Sequence, residues 1–353
     1  MGVKMSVKKE IFGVTKTGET VTAYIIENGT ISARVIDYGA NLVNVFAPDK
    51  NGNLADIVLG FDDAEGYENN PAFFGALVGP SANRIAGASF TIDGREYHLL
   101  ANDGVNNLHT DKDHGLHKMM WKALPGEDFV TFTTHVPDGM YGMPGDRYFS
   151  VTYSVTEDNA LNIHYHATSD KPTIINLTNH AYWNLDGYDA GGILDTVLEL
   201  HGSAFTPVVK GAIPTGEIRN VAGTVFDFTK PKKIGQDIDK DDEQLLLVGG
   251  YDHNFVVDGY DGEGNYRLAA RACSEKSGRI MEVYTTLPGV QFYAGNHINV
   301  SGAKGGKDCG KRCAFALETQ FYPDSIHHEN FPSCVFGGER VYDSMTKYLF
   351  DTL

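Results

Sequence analysis

Leu161-Asn162-Ile163-His164-Tyr165-His166 alternates apolar and polar side chains residue by residue. Successive side chains of a strand leave opposite faces, so this run reads as a strand with one face buried and the other wet. Working outward, the same period recurs in Thr22-Ala23-Tyr24-Ile25-Ile26 and Ser32-Ala33-Arg34-Val35-Ile36. Phe90-Thr91-Ile92-Asp93-Gly94-Arg95-Glu96-Tyr97 reads as a hairpin, its Asp-Gly pair supplying the positive φ of the turn. Further strands are expected at residues 128–135, 148–155, 173–177, 254–257, 279–286, 290–293, 315–319 and 341–349. Helical periodicity is nearly absent, and residues 62–70 make at most one or two turns. The expectation is an all-β chain: one large antiparallel domain spanning residues 1–353, with few short helices.

A chain of 353 residues exceeds the usual domain size, but all-β folds reach that length as one unit. No Ser/Gly linker, internal repeat or low-complexity tract divides it. The 40 glycines fit a molecule rich in tight turns, and 42% hydrophobic residues suffice for a large core. A net charge of −17 argues against a nucleic-acid or anionic-membrane partner and tilts against a strongly anionic substrate. Residues 1–10 hold Lys4, Lys8 and Lys9 with no apolar run behind them, which reads as no signal peptide, and no stretch is apolar for the roughly 18 residues a span needs. Four cysteines are too sparse for a disulfide scaffold. Cys309 and Cys313 are the only close pair, with no second pair to complete a zinc site, so free thiols in a reducing cytoplasm are expected. The acidic loop 237–243 opens like a calcium loop, but Asp242 stands where Gly belongs and Val248 where the closing Glu belongs. It reads as a solvated surface loop.

Five segments carry residue types suited to chemistry. Asn176-Leu177-Thr178-Asn179-His180-Ala181-Tyr182-Trp183-Asn184-Leu185 sets a histidine among amides and before two rings. Rings stack on the apolar faces of a pyranose and amides meet its hydroxyls, although the same residues also suit a turn packed on a core. Gly79-Pro80-Ser81-Ala82-Asn83-Arg84-Ile85 presents an amide beside a guanidinium, which can fork onto two hydroxyls or pair with a carboxylate. Asn106-Asn107-Leu108-His109-Thr110, with His114, His117 and Trp121 beyond it, suggests a metal cluster, but the histidine spacing puts all three on one face of neither a helix nor a strand. Gly250-Tyr251-Asp252-His253-Asn254-Phe255 places an acid at the mouth of an apolar strand. In Ala314-Phe315-Ala316-Leu317-Glu318-Thr319-Gln320-Phe321 a carboxylate interrupts a very apolar strand, where burial would raise its pKa toward that of a useful base.

With those residues in view, the chain resembles the aldose 1-epimerase, or galactose mutarotase, family. Asn83-Arg84-Ile85, Asn107-Leu108-His109, Thr178-Asn179-His180-x-Tyr182, Tyr251-Asp252-His253, Pro288-Gly289-Val290-Gln291-Phe292-Tyr293 and Leu317-Glu318-Thr319-Gln320 match its motifs in order, across almost the whole length. The resemblance implies a galactose mutarotase-like supersandwich, a large antiparallel β-sandwich whose concave cleft holds a free aldohexose. It implies His180 as general acid and Glu318 as general base, with Asn83, Arg84, His109, Asp252 and Gln291 binding the sugar and Tyr182 and Trp183 beside it. No cofactor or metal is implied, and a monomer or weak homodimer is expected. Two departures stand out. Thr110 follows His109 where the family usually has Gly, and Trp183 stands where Phe is common, which suggests a larger stacking platform.

Mutarotation opens the ring and closes it on the other aldehyde face. A base takes the C1 hydroxyl proton while an acid protonates the ring oxygen, and both oxygens are bonded to one carbon. Phe315, Leu317 and Phe321 are expected to supply the apolar surroundings that raise Glu318. Three rivals remain at this stage: a glycoside hydrolase using Asp252 and Glu318, a non-catalytic carbohydrate-binding module, and a hexose-6-phosphate epimerase, which would want more than the single Arg84.

Overall fold

The computed structural model describes residues 5–353. The first four residues, on which part of the leader expectation fell, lie outside this range. The chain is mostly strands, with two short α-helices among the described residues, Ala64–Asn69 and Glu243–Val248. The first falls inside the expected 62–70 turn and is capped by the Asp63 carboxylate, which accepts from Gly66 N. The second was not anticipated. Asp242, whose carboxylate accepts from Gln244 N and Leu245 N, ends the acidic loop by starting this helix.

Three sheets make the body. A nine-stranded sheet is built on the Leu161 run, now the strand Ala160–Ser169, flanked by Arg147–Val155 and Tyr342–Thr352. A five-stranded sheet holds the first five strands in sequence order, Ser6–Val14 to Leu54–Asp56. A six-stranded sheet runs Tyr182–Trp183, Phe315–Gln320, Gly289–Tyr293, Asp252–Val256, Ala204–Phe205 and Arg219–Asn220. The ladders are antiparallel, as expected. The hairpin is formed by Ser89–Ile92 and Arg95–His98, with Asp93 and Gly94 at positive φ.

Face parity in the six-stranded sheet decides where its chemistry lies. Cross-strand partners share a face, so Tyr182, Ala316, Tyr293 and Asp252 form one row and Glu318, Gln291 and Asn254 the next. The alternate residues Trp183, Phe315, Leu317, Thr319 and Phe292 turn the other way, onto the nine-stranded sheet. Trp183 packs on Tyr348 and Phe350 at ring separations of 4.8 and 5.9 Å, and Tyr348 Oη donates to Leu317 O at 3.3 Å. Trp183 is fully buried there. The expected stacking platform is therefore corrected: one residue beyond Tyr182 in a strand is on the opposite face. The same parity removes Phe315 and Leu317 from the surroundings of the Glu318 carboxyl.

Candidate active site

A cavity of about 400 Å³ opens on the other face of this sheet. Asn83, Arg84, His109, His180, Tyr182, Asp252 and Glu318, named from sequence segments up to 235 residues apart (318 minus 83), all line it. Gln291 stands behind the lining and donates from Nε2 to Asp252 Oδ1 at 2.7 Å.

His180 ends the strand Thr178–His180, paired with Ala76, and its ring stacks on Tyr182 at 4.8 Å. Its Nε2 lies 3.6 Å from Glu318 Oε1, too far for a hydrogen bond and close enough for both groups to meet one small ligand. His180 Nδ1 and Glu318 Oε2 are buried without hydrogen bonds to the protein. Burial holds the His180 imidazole down to about 4. Burial also pushes the Glu318 carboxyl well above its ordinary value, with the nearby Asp252 charge adding and Arg84 opposing.

The loops on the far side are locked by their own backbone. His109 N donates to Asn83 O at 2.9 Å, and Asn83 N donates to His109 Nδ1 at 3.1 Å. That second bond assigns the tautomer: Nδ1 accepts, so the ring carries its proton on Nε2. Burial keeps His109 uncharged, holding it well below the usual histidine range. Arg84 resolves the fork left open by its sequence: Nε donates to Asp103 Oδ2 at 2.8 Å while the side chain still lines the cavity.

The family model described as aldose 1-epimerase matches residues 22–348. The chain is 38% identical over 348 residues to galactose mutarotase of Bos taurus, covering 98% of this chain and 99% of that one. It is 36% identical over 326 residues to aldose 1-epimerase of Escherichia coli K12, covering 92% and 93%. The crystal structure of the GalM/aldose epimerase homologue from C. elegans superposes with a TM-score of 0.85 at 31% identity, covering 99% of both chains.

The chain belongs to the aldose 1-epimerase family.

Within this aldose 1-epimerase family member, the histidine trio read from sequence does not converge. His114 is exposed beside Asp111, whereas His117 is buried, with Nε2 near Lys112 O and its ring against Phe73. A different trio does meet: ligand atoms of His109, His180 and Glu318 lie within 4.8 Å of one another. Its donor set does not fit a metal. The His109 Nδ1 lone pair is spent on Asn83 N–H, which leaves a protonated Nε2 that donates rather than ligates.

The Thr110 departure has a local explanation. Its φ of +66° is a left-handed conformation that β-branched residues rarely adopt. The hydroxyl compensates by accepting from Ser81 N at 2.9 Å and donating to Ser81 O at 3.0 Å. The sequence reading did not assign several further lining residues to the site, among them Phe73, Tyr293, His297 and Asn299. Tyr293 shares a row with Asp252 and Tyr182, so strand parity could have found it; the other three sit on loops with no periodic signal.

Proposed function

We propose that this chain is a mutarotase interconverting the α and β anomers of free aldohexoses such as D-glucose and D-galactose, with His180 and Glu318 as its proton-transfer pair. The reaction class is that of its family, an isomerase acting at the anomeric carbon. The observation that carries the residue assignment is the 3.6 Å approach of two buried, otherwise unpaired groups whose pKa values are displaced toward one another.

With the carboxyl raised and the imidazole lowered, a single proton on the free pair rests on the carboxyl and leaves the imidazole neutral. Moving that proton to the imidazole gives the tautomer in which His180 is the acid for the ring oxygen and Glu318 the base for the C1 hydroxyl. Ring closure on the other face uses the groups in reverse. Arg84, His109 through Nε2–H, and Asp252 braced by Gln291 hold the remaining hydroxyls while C1 turns. The ring of Tyr182 keeps His180 in place. The lining offers one guanidinium, no lysine and two carboxylates, which favours a neutral sugar over a hexose phosphate. We place the protein in a reducing cytoplasm, a reading supported by its four free cysteines, and propose a monomer or weak homodimer. Among the described residues no helix is long and apolar enough to cross a membrane.

Polarimetry on freshly dissolved α-D-galactose and α-D-glucose tests the proposal. Optical rotation should relax faster in proportion to enzyme, with a bell-shaped pH profile. The acid limb falls as His180 takes a second proton near about 4, and the alkaline limb falls as Glu318 loses the last one. Sugar binding without acceleration would make the protein a binding module instead.

A further inference from the structure

One side of the cavity is closed by a hairpin whose base carries a feature the proton transfer does not use. Asn299 and Val300 line the cavity, and the strand Val300–Ala303 returns as Lys307–Cys309, with Cys309 opposite Val300. The tip is anchored by Lys304, whose buried ammonium donates to Asp56 Oδ2, Val43 O and Val58 O at 2.5, 2.7 and 2.9 Å. From Cys309 the chain turns through Gly310-Lys311-Arg312, closed by Cys313 N donating to Gly310 O at 3.1 Å. It then enters the strand that bears Glu318. Arg312 fixes the turn from outside through a two-pronged pair with Asp239 at 2.8 and 2.9 Å.

Cys309 and Cys313 thus stand at the junction between the cavity-rim hairpin and the Glu318 strand. Four residues apart, they bracket this closed turn. Both pack in the apolar cluster that holds Tyr182, Ile298 and Val300. We infer that Cys309 and Cys313 form a dithiol modification site, oxidised by a hydroperoxide to a disulfide that clamps the cavity rim to the Glu318 strand.

Three features single out this pair. The neighbouring Cys313 thiol and the Lys304 ammonium hold the Cys309 thiol below its ordinary value, against burial and the Asp308 charge, and so favour the thiolate that attacks peroxide. Cys313 is partly exposed and offers a way in, whereas Cys273, Cys309 and Cys334 are buried. The resolving thiol lies only four residues on, across one closed turn and against the same apolar cluster. The chemistry balances. The Cys309 thiolate breaks the O–O bond and takes one oxygen as a sulfenic acid; the other oxygen leaves with a proton as alcohol, or as water from hydrogen peroxide. Cys313 sulfur then displaces that oxygen as a second water, forming the S–S bond. Two electrons pass from the thiols to the peroxide, and a dithiol reductant reverses the step.

The kinetic consequence rests on the mutarotase reading; the linkage does not. The full-length reduced protein is titrated with hydrogen peroxide and then followed by peptide mass mapping and polarimetry. A linked Cys309–Cys313 peptide should appear together with a several-fold change in KM, both reversed by dithiothreitol. In Cys313→Ser, Cys309 should stop at a sulfenic acid trapped by dimedone, with KM insensitive to peroxide. Oxidation falling on Cys273 or Cys334 instead, no linked peptide, or a complete linkage that leaves KM unchanged would overturn the inference. No rate enhancement in the reduced protein would instead sink the mutarotase reading and leave the linkage arm standing.

Discussion

In the strand Ala160–Ser169 side chains alternate between buried and half-buried beyond its first residue, whereas in Phe315–Gln320 every side chain is buried. The first strand belongs to a sheet with one face in water, so its polar residues need no further reason. The second is covered on both faces, by the nine-stranded sheet on one side and by the cavity loops on the other. A polar residue there has been taken out of water and must be accounted for. Glu318, Thr319 and Gln320 share the strand, yet only parity separates them: Thr319 Oγ1 meets Thr346 Oγ1 at 2.5 Å within the core, while Glu318 faces the cavity. A sheet buried on both sides can thus devote one face to cohesion and the other to chemistry.

The sharpest way to break that division is Glu318→Gln. It keeps shape and burial, so a purely cohesive role would leave turnover near wild type. As a proton-transfer group, its loss should lower kcat by about 10² to 10⁴. Thermal stability should hold or rise, because a buried carboxyl with an unpaired Oε2 is removed. Polarimetric kcat and a melting curve on one sample read both sides of the comparison.

Trp183→Ala tests the opposite face. Its ring fills the space between Tyr348 and Phe350, so truncation should cost about 3–5 kcal/mol in urea unfolding. Folded protein should keep kcat and KM within a few-fold. A rise in KM comparable with that of Tyr182→Ala would mean that Trp183 reaches the sugar after all.

This pair of neighbours also shows how much was legible beforehand. Alternation revealed the strands because water on one side writes its period into the residue types. Glu318 was visible because a charge in an apolar run is costly unless used. His180, Asn83, Arg84, His109 and Asp252 stood in segments whose residue types suited chemistry but also suited turns and caps, and motif order decided between the two readings. Trp183 was misplaced by treating adjacency in sequence as adjacency in space, although a period of two forbids it. Phe73, His297 and Asn299 could not have been found in this way. Their directions depend on loops, and Phe73 itself sits at a φ of +60° that no sequence pattern announces.

The cavity face differs from the core face in being held by loops, and Thr110→Val probes that support. The substitution keeps the β-branch and the left-handed strain but deletes the hydroxyl that serves both Ser81 backbone groups. Leaving these unpaired should cost about 1–3 kcal/mol, with KM rising as the His109 loop loosens. Unchanged stability and KM would show that backbone bonds between His109 and Asn83 suffice alone.

The smallest effect compares histidines from the two faces. His253 lies on the core side, its ring 4.6 Å from Phe226, and burial lowers it to about 3; His180, on the cavity side, is lowered to about 4. Both folded values lie below the ordinary histidine pKa of about 6.5, so the unfolded chain takes up the proton first as pH falls. Their stability contribution is intact above that pH and is lost progressively down to the folded values. Each histidine therefore adds a slope of about 1.4 kcal/mol per pH unit between roughly pH 6 and pH 4. His253→Leu and His180→Gln should each flatten the stability–pH curve by that amount, read from urea unfolding at a series of pH values. Only the second should abolish turnover. Equal losses of slope with unequal losses of rate are what a sheet divided between cohesion and proton transfer requires, whereas matched losses of rate would erase the distinction between its faces.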